Sequence, residues 1–224
     1  MRQLEIKLFE VADWPTKAAT LITEKIARVL NANGNCSVML TGGHNAARLY
    51  KAWSILPAFH LLSGVSFYFG DERCVPPDHS ESNYGMAMRT LFQYGVPVGC
   101  SVFCMDANAI NKDEEAQRYD NLLPHSIDVL LLGVGSDGHI ASLFPNSDGL
   151  QERQRGVIPI TGSFEPFERM TITPQVLKKV QSCFVLASGA MKVTILSEAL
   201  SNPNDIASMP VRLVLDSIWL MDSH

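Results

Sequence analysis

Charge, cysteine and basic clusters are all scarce in this sequence. Charged residues make up 18% of the chain, too few for a disordered polyelectrolyte, and the 46% that are hydrophobic supply ample material for a core. Eighteen Lys and Arg are set against 23 Asp and Glu, a formal net charge of -5. No cluster of basic residues forms a stripe that could track a phosphate backbone, so nucleic acid is not an expected partner. Five cysteines, Cys36, Cys74, Cys100, Cys104 and Cys183, are an odd number in a chain too large to need staples. Cys100 and Cys104 lack a second Cys or His pair to complete a tetrahedral site, which predicts free thiols and no structural metal. The start, MRQLEIKLFE, carries Arg2, Glu5, Lys7 and Glu10 where a secretory signal needs an apolar stretch, so a cytoplasmic location is expected. Ala52 to Gly70 has no charge, yet Pro57, His60, Ser63, Gly64 and Ser66 break it, and no membrane segment is expected.

A chain of 224 residues fits one domain, and residues 1–224 contain no low-complexity linker that would divide it. The apolar periods alternate between strand-like and helix-like runs. Strands are predicted at Leu4 to Phe9, Ser37 to Leu40, Val65 to Phe69, Ile127 to Leu132, Val157 to Ile160, Met170 to Ile172, Cys183 to Ala187, Val211 to Leu215 and Ile218 to Met221, with Val102 to Met105 extended. Helices are predicted at Trp14 to Leu30, capped by Asp13, and at Asn45 to Trp53, Asn83 to Phe92, Asp113 to Leu122, Pro174 to Val180 and Met191 to Leu200. Ile127 to Leu132, apolar but for Asp128, reads as a strand buried on both faces in the middle of a parallel sheet. The pattern predicts an α/β domain with a mixed, mostly parallel central sheet flanked by helices, Rossmann-like in layout. Ligands of such sheets bind in loops at the carboxyl ends of the strands.

Four such loops carry chemistry. Thr41-Gly42-Gly43-His44-Asn45 leads from a strand into a helix, and two glycines beside exposed helix-start amides suit a phosphate as well as an ordinary turn. Gly70-Asp71-Glu72-Arg73 follows a buried strand, with Ser82-Asn83 opening the next helix; Arg73 offers a fork for an oxyanion, or else a salt bridge within the run. Gly133-Val134-Gly135-Ser136-Asp137-Gly138-His139 contains a literal G-x-G-x-x-G. Glu152, the acidic residue nearly twenty positions on, lies in a polar run and not at the end of a second strand, so the motif is not read as a dinucleotide site. His139, predicted at a helix start and flanked by Asp137, is suited to general-base work, although a lone histidine is commonly structural. Arg169 at a strand start and Lys192 in the first turn of a helix are cations that an anionic ligand would explain, or solvated surface charges.

Taken in order, these segments resemble the glucosamine-6-phosphate isomerase/6-phosphogluconolactonase family across positions 41 to 192. The most specific pieces are Gly70-Asp71-Glu72-Arg73-Cys74-Val75-Pro76 with Ser82-Asn83, and Leu132 through Pro145. Arg73, and Ala141-Ser142-Leu143-Phe144-Pro145 after Asp-Gly-His, match the lactonase branch better than the deaminase branch. The resemblance implies hydrolysis of 6-phospho-glucono-1,5-lactone to 6-phosphogluconate in the oxidative pentose phosphate pathway, without metal or organic cofactor. It implies His139 as the base, with Arg73 and Asp137 in the catalytic group. Gly42, Gly43, His44, Asn45, Asp71, Asn83, Arg169 and Lys192 are the implied substrate-binding residues. The only partner implied is the phosphorylated sugar lactone, with the protein a monomer or small homo-oligomer. A deaminase or isomerase on the same scaffold, and a non-catalytic sugar-phosphate sensor, are the alternatives. One departure stands out, since the family usually reads Ser-Gly-Gly-Ser-Thr-Pro where this chain reads Thr41-Gly42-Gly43-His44-Asn45-Ala46.

Overall fold

The computed structural model describes residues 3–223. Strand β1 (Glu5–Glu10) leads into helix α1 (Trp14–Asn33), whose buried face is Trp14, Ala18, Ala19, Ile22, Thr23 and Ile26. Pro15 lies in its first turn and Gly34 ends it at φ 77°, a conformation glycine adopts without a Cβ penalty. The Asp13 side chain makes no cap hydrogen bond, contrary to the sequence expectation; its carboxylate instead pairs with Lys17 one turn on. Strand β2 (Cys36–Leu40), helices α2 (His44–Trp53) and α3 (Pro57–His60), and strand β3 (Val65–Phe69) follow. Then come β4 (Asp71–Arg73), α4 (Asn83–Thr90), β5 (Ser101–Val102), α5 (Lys112–Leu122) and β6 (Ile127–Gly133). The last third runs β7 (Val157–Thr161), β8 (Glu168–Ile172), α6 (Pro174–Leu177), β9 (Val180–Ala187), α7 (Met191–Ser201) and β10 (Ile218–Ser223).

Seven strands form one sheet in the order β1-β10-β9-β6-β2-β3-β5, every pair parallel. β6 lies at its centre and Val129 to Leu132 are fully buried, as an apolar run with helices on both faces demands. One face is covered through Trp14, Leu49, Trp53, Phe59 and Phe67, the other through Tyr119, Met170, Ile172, Ile195 and Leu196. The expected mixed sheet resolves into two. β4, β8 and β7 pair antiparallel in a separate three-stranded sheet, in the order β4-β8-β7. Val211 to Leu215, expected as a strand, lies mostly in a 3₁₀ turn, Pro210–Val214, because a proline at its start withholds the N–H a ladder would use. Of the extended segment expected from Val102 to Met105 only Val102 is in a strand, paired in β5 with Ser101 before it, and α6 stops at Leu177, before the Val180 expected.

This layout fixes where a ligand can bind. β2 and β6 are neighbours, yet the chain leaves β2 toward β3 on one side and leaves β6 toward β9 on the other. Connections that diverge in this way open a crevice at the carboxyl ends of the two strands.

Candidate active site

A cleft of about 380 Å³ occupies that crevice. Gly42, Gly43, His44, Asn45, Asp71, Arg73, Asn83, His139, Arg169 and Lys192 all line it, so residues separated by up to 150 positions converge as the strand ends predicted. Asp137 stands behind His139 rather than on the cleft wall.

The glycine loop is shaped by its neighbours. A Cβ on Gly42 would lie 1.8 Å from Asn83 Oδ1, so only glycine allows the Asn83 amide to approach the loop. Gly43 takes φ 91°, a left-handed conformation, to turn the chain into α2. His44 is the exposed first residue of that helix. Asn45 lines the cleft, and its Nδ2 donates to the Ser188 carbonyl at 2.9 Å and to that of Leu186 at 3.5 Å. It ties the loop after β2 to the loop after β9.

The acidic run after β3 divides its labour. Asp71 is buried; its carboxylate accepts from Ser142 Oγ at 2.7 Å and from Asn83 Nδ2 at 3.2 Å. Glu72 is buried too and accepts from the backbone N–H groups of Asn83, Tyr84 and Arg73 and from the Ser82 hydroxyl. Burial pushes the Glu72 carboxyl above the ordinary carboxylate range, opposed by those N–H donors. Ser82 caps α4 by accepting from Gly85 N. Arg73 points its Nη1 at Glu81, donating to the carbonyl at 2.7 Å and to Oε2 at 3.1 Å, while its buried Nε has no partner among the described residues. The run is thus both an internal scaffold and the mount of a cation with a spare donor.

The loop after β6 forms a tight turn and not the helix start expected for His139. Gly138 at φ 78° and Ala141 at φ 49° lie outside the right-handed helical region, and Gly135 N donates to the His139 carbonyl to close the turn. His139 Nδ1 lies 2.5 Å from Asp137 Oδ1, and that oxygen also accepts the His139 backbone N–H at 3.1 Å. A carboxylate there fixes the proton on Nδ1 and leaves the Nε2 lone pair available. Nε2 has no hydrogen-bond partner among the described residues. The ring rests against Phe144, centroids 4.7 Å apart, with Phe164 beyond at 6.4 Å.

Two cations complete the wall. Lys192 Nζ donates to the Val134 carbonyl at 2.5 Å, which brings the start of α7 to the His139 loop. Its half-burial lowers its pKa from the usual lysine value, with the charge of Asp137 acting in the opposite sense. Arg169 is buried with its guanidinium over the Phe144 ring. Its Nε donates to the Pro166 carbonyl and its Nη2 to that of Phe164, so two of its donors hold the β7–β8 loop. Burial first, then the neighbouring charge of Arg73, lowers its pKa. Among the described residues no group of three His, Cys, Asp or Glu side chains could hold a metal ion, and no helix is long and apolar enough to cross a membrane. Sequence reasoning passed over Glu81, Ser142 and Phe164, whose roles come from contacts across distant segments.

The glucosamine-6-phosphate isomerase/6-phosphogluconolactonase family model matches residues 11–220. The chain belongs to this family. Within it, a 6-phosphogluconolactonase of Pseudomonas putida is 32% identical over 220 residues, covering 94% of this chain and 89% of that one. One of Streptomyces coelicolor is 34% identical over 227 residues, covering 92% and 86%. In three dimensions the chain superposes on a crystal structure titled as a 6-phosphogluconolactonase from Shewanella baltica with a TM-score of 0.86. That match covers 99% of this chain and 98% of the other, and at 21% identity it shows that the fold is the family's.

Proposed function

We propose that this chain hydrolyses 6-phospho-glucono-1,5-lactone to 6-phosphogluconate, as an enzyme of the oxidative pentose phosphate pathway acting in the cytoplasm. The observation that carries the reading is His139, backed by Asp137, on the wall of a cleft that three cations also line. Family membership and the names of the relatives support the substrate.

The geometry supports the following steps. Asp137 holds the proton on Nδ1, so His139 Nε2 accepts a proton from water as the water oxygen attacks the lactone carbonyl. The carbonyl becomes an oxyanion, and the guanidinium charge of Arg73 on the cleft wall suits its stabilisation. When the tetrahedral intermediate collapses, the bond to the ring oxygen breaks and the imidazolium returns its proton to that oxygen. The product is an open-chain hydroxy acid, which ionises in water. Lys192 and the amides of the Gly42-Gly43 loop suit the phosphate. Arg169 contributes charge from beneath and holds the loop that carries Phe164.

The direct test is acid release in a pH-stat from freshly prepared 6-phosphogluconolactone, corrected for spontaneous opening. The reading expects a rate far above the spontaneous one. A rate equal to it, with ammonia released from glucosamine 6-phosphate, would assign the cleft to the deaminase branch instead.

A further inference from the structure

β1 is an edge strand of the large sheet, with β10 as its hydrogen-bonded neighbour on one side. Glu5 N donates to the Ser217 carbonyl, so in this parallel ladder Glu5, Lys7 and Phe9 turn their backbone groups toward β10. Ile6 and Leu8 therefore direct theirs to the open edge. Open edges of this kind are templates for pairing with another chain. The side chains at that edge are apolar, with Ile6 49% and Leu8 61% exposed and Leu4 exposed beside them.

The register sets their face. Ile6 is opposite Trp219 and Leu8 opposite Met221, both buried with Ile195 and Leu196 of α7. Val193 and Leu200, also exposed, lie seven residues apart on one stripe of α7. The opposite flank of α7 is taken by the turn at 210–214, where Arg212 donates to the Ala199 and Glu198 carbonyls. Ile6, Leu8 and this stripe thus lie on the face of the sheet that α7 covers. Scattered apolar residues need no explanation, but a contiguous strip along an unpaired edge does.

We infer that β1 pairs antiparallel with β1 of a second copy about a two-fold axis at Ile6, giving a closed dimer with a continuous sheet. The register is chosen by charge. An edge-to-edge ladder bonds residues whose backbone groups face outward, which are the even positions here. Centring on Ile6 bonds Ile6 to its copy and Leu4 to Leu8 of the other chain, and faces Glu5 with Lys7 of the other chain twice. Sliding one step either way would set Lys7 against Lys7 or Glu5 against Glu5, and like charges directly opposite destabilise a pair. Glu5 and Lys7 already contact each other at 2.6 Å within one chain, so the dimer closes an alternating square of four charges. The two-fold axis uses the edge of both copies and stops there. The inference is independent of the proposed activity.

Sedimentation analysis of the full chain and four variants tests it. The wild type should be a dimer and Ile6→Lys a monomer. Glu5→Lys and Lys7→Glu should each weaken dimerisation by at least about tenfold, and the double reversal Glu5→Lys/Lys7→Glu should restore it. Circular dichroism should be unchanged throughout, which reports that the variants fold. A wild type monomeric at every concentration, a dimer untouched by Ile6→Lys, or a double reversal no better than the singles would each overturn the inference.

Discussion

Asp137 Oδ1 approaches His139 Nδ1 to 2.5 Å because position 135 is glycine. A Cβ there would lie 2.1 Å from Nδ1 and 2.7 Å from the same carboxylate oxygen. The second glycine of the motif that mimics a dinucleotide fingerprint thus makes room for an acid–imidazole pair.

Gly135→Ala should therefore lower kcat by roughly tenfold or more while KM changes little, because the side chain displaces the imidazole and leaves the cations in place. Asp137→Asn should act in the same direction, since an amide no longer fixes the proton on Nδ1. Steady-state kinetics on the phosphorylated lactone checks both, and an unchanged kcat in either variant would remove Asp137 from the mechanism.

Lys192 and the phosphate can be separated by substrate. Glucono-1,5-lactone has the same ester and no phosphate, so Lys192→Ala should impair its opening far less than that of the phosphorylated lactone, with the larger change in KM. Equal losses on the two substrates would deny Lys192 a phosphate role.

The lowered pKa of Lys192 has a definite sign. Between that value and the ordinary lysine range the unfolded chain binds more protons than the folded one, so this residue's contribution to stability rises with pH through that window. A bound phosphate supplies the counter-charge that burial withholds, so binding 6-phosphogluconate there should take up a proton. Calorimetric titration in two alkaline buffers of different ionisation enthalpy should reveal the uptake in the wild type and lose it in Lys192→Met.

Gly42→Ala should be destabilising by about 1–3 kcal/mol, because Asn83 must leave its hydrogen bonds to Asp71 to admit a Cβ. Thermal unfolding reads this directly. A melting temperature equal to that of the wild type would mean that the loop yields without strain.

Much of this was legible in the sequence. Apolar period and length exposed the βαβ order, and the Val129 to Leu132 run betrayed its place at the sheet centre. β7 and β8 were read as strands, but the small sheet they form was hidden, because β4 is only three residues long and its Arg73 pairs with Arg169 across almost a hundred positions. Arg169 itself was read as a ligand-facing cation, but whether an arginine meets a phosphate or the carbonyls of Phe164 and Pro166 depends on a loop whose path is set by tertiary contacts. Asn45 was read as an implied substrate-binding residue; its amide also donates to the Ser188 carbonyl in another strand's loop, a partner no local pattern announces.

The central claim is that His139 activates water. The measurement that tests it most directly is kcat for wild type and His139→Ala on fresh 6-phosphogluconolactone, with circular dichroism to verify folding. The account predicts a loss of roughly 10² to 10⁴ in a folded variant. An unchanged kcat in that variant would contradict it.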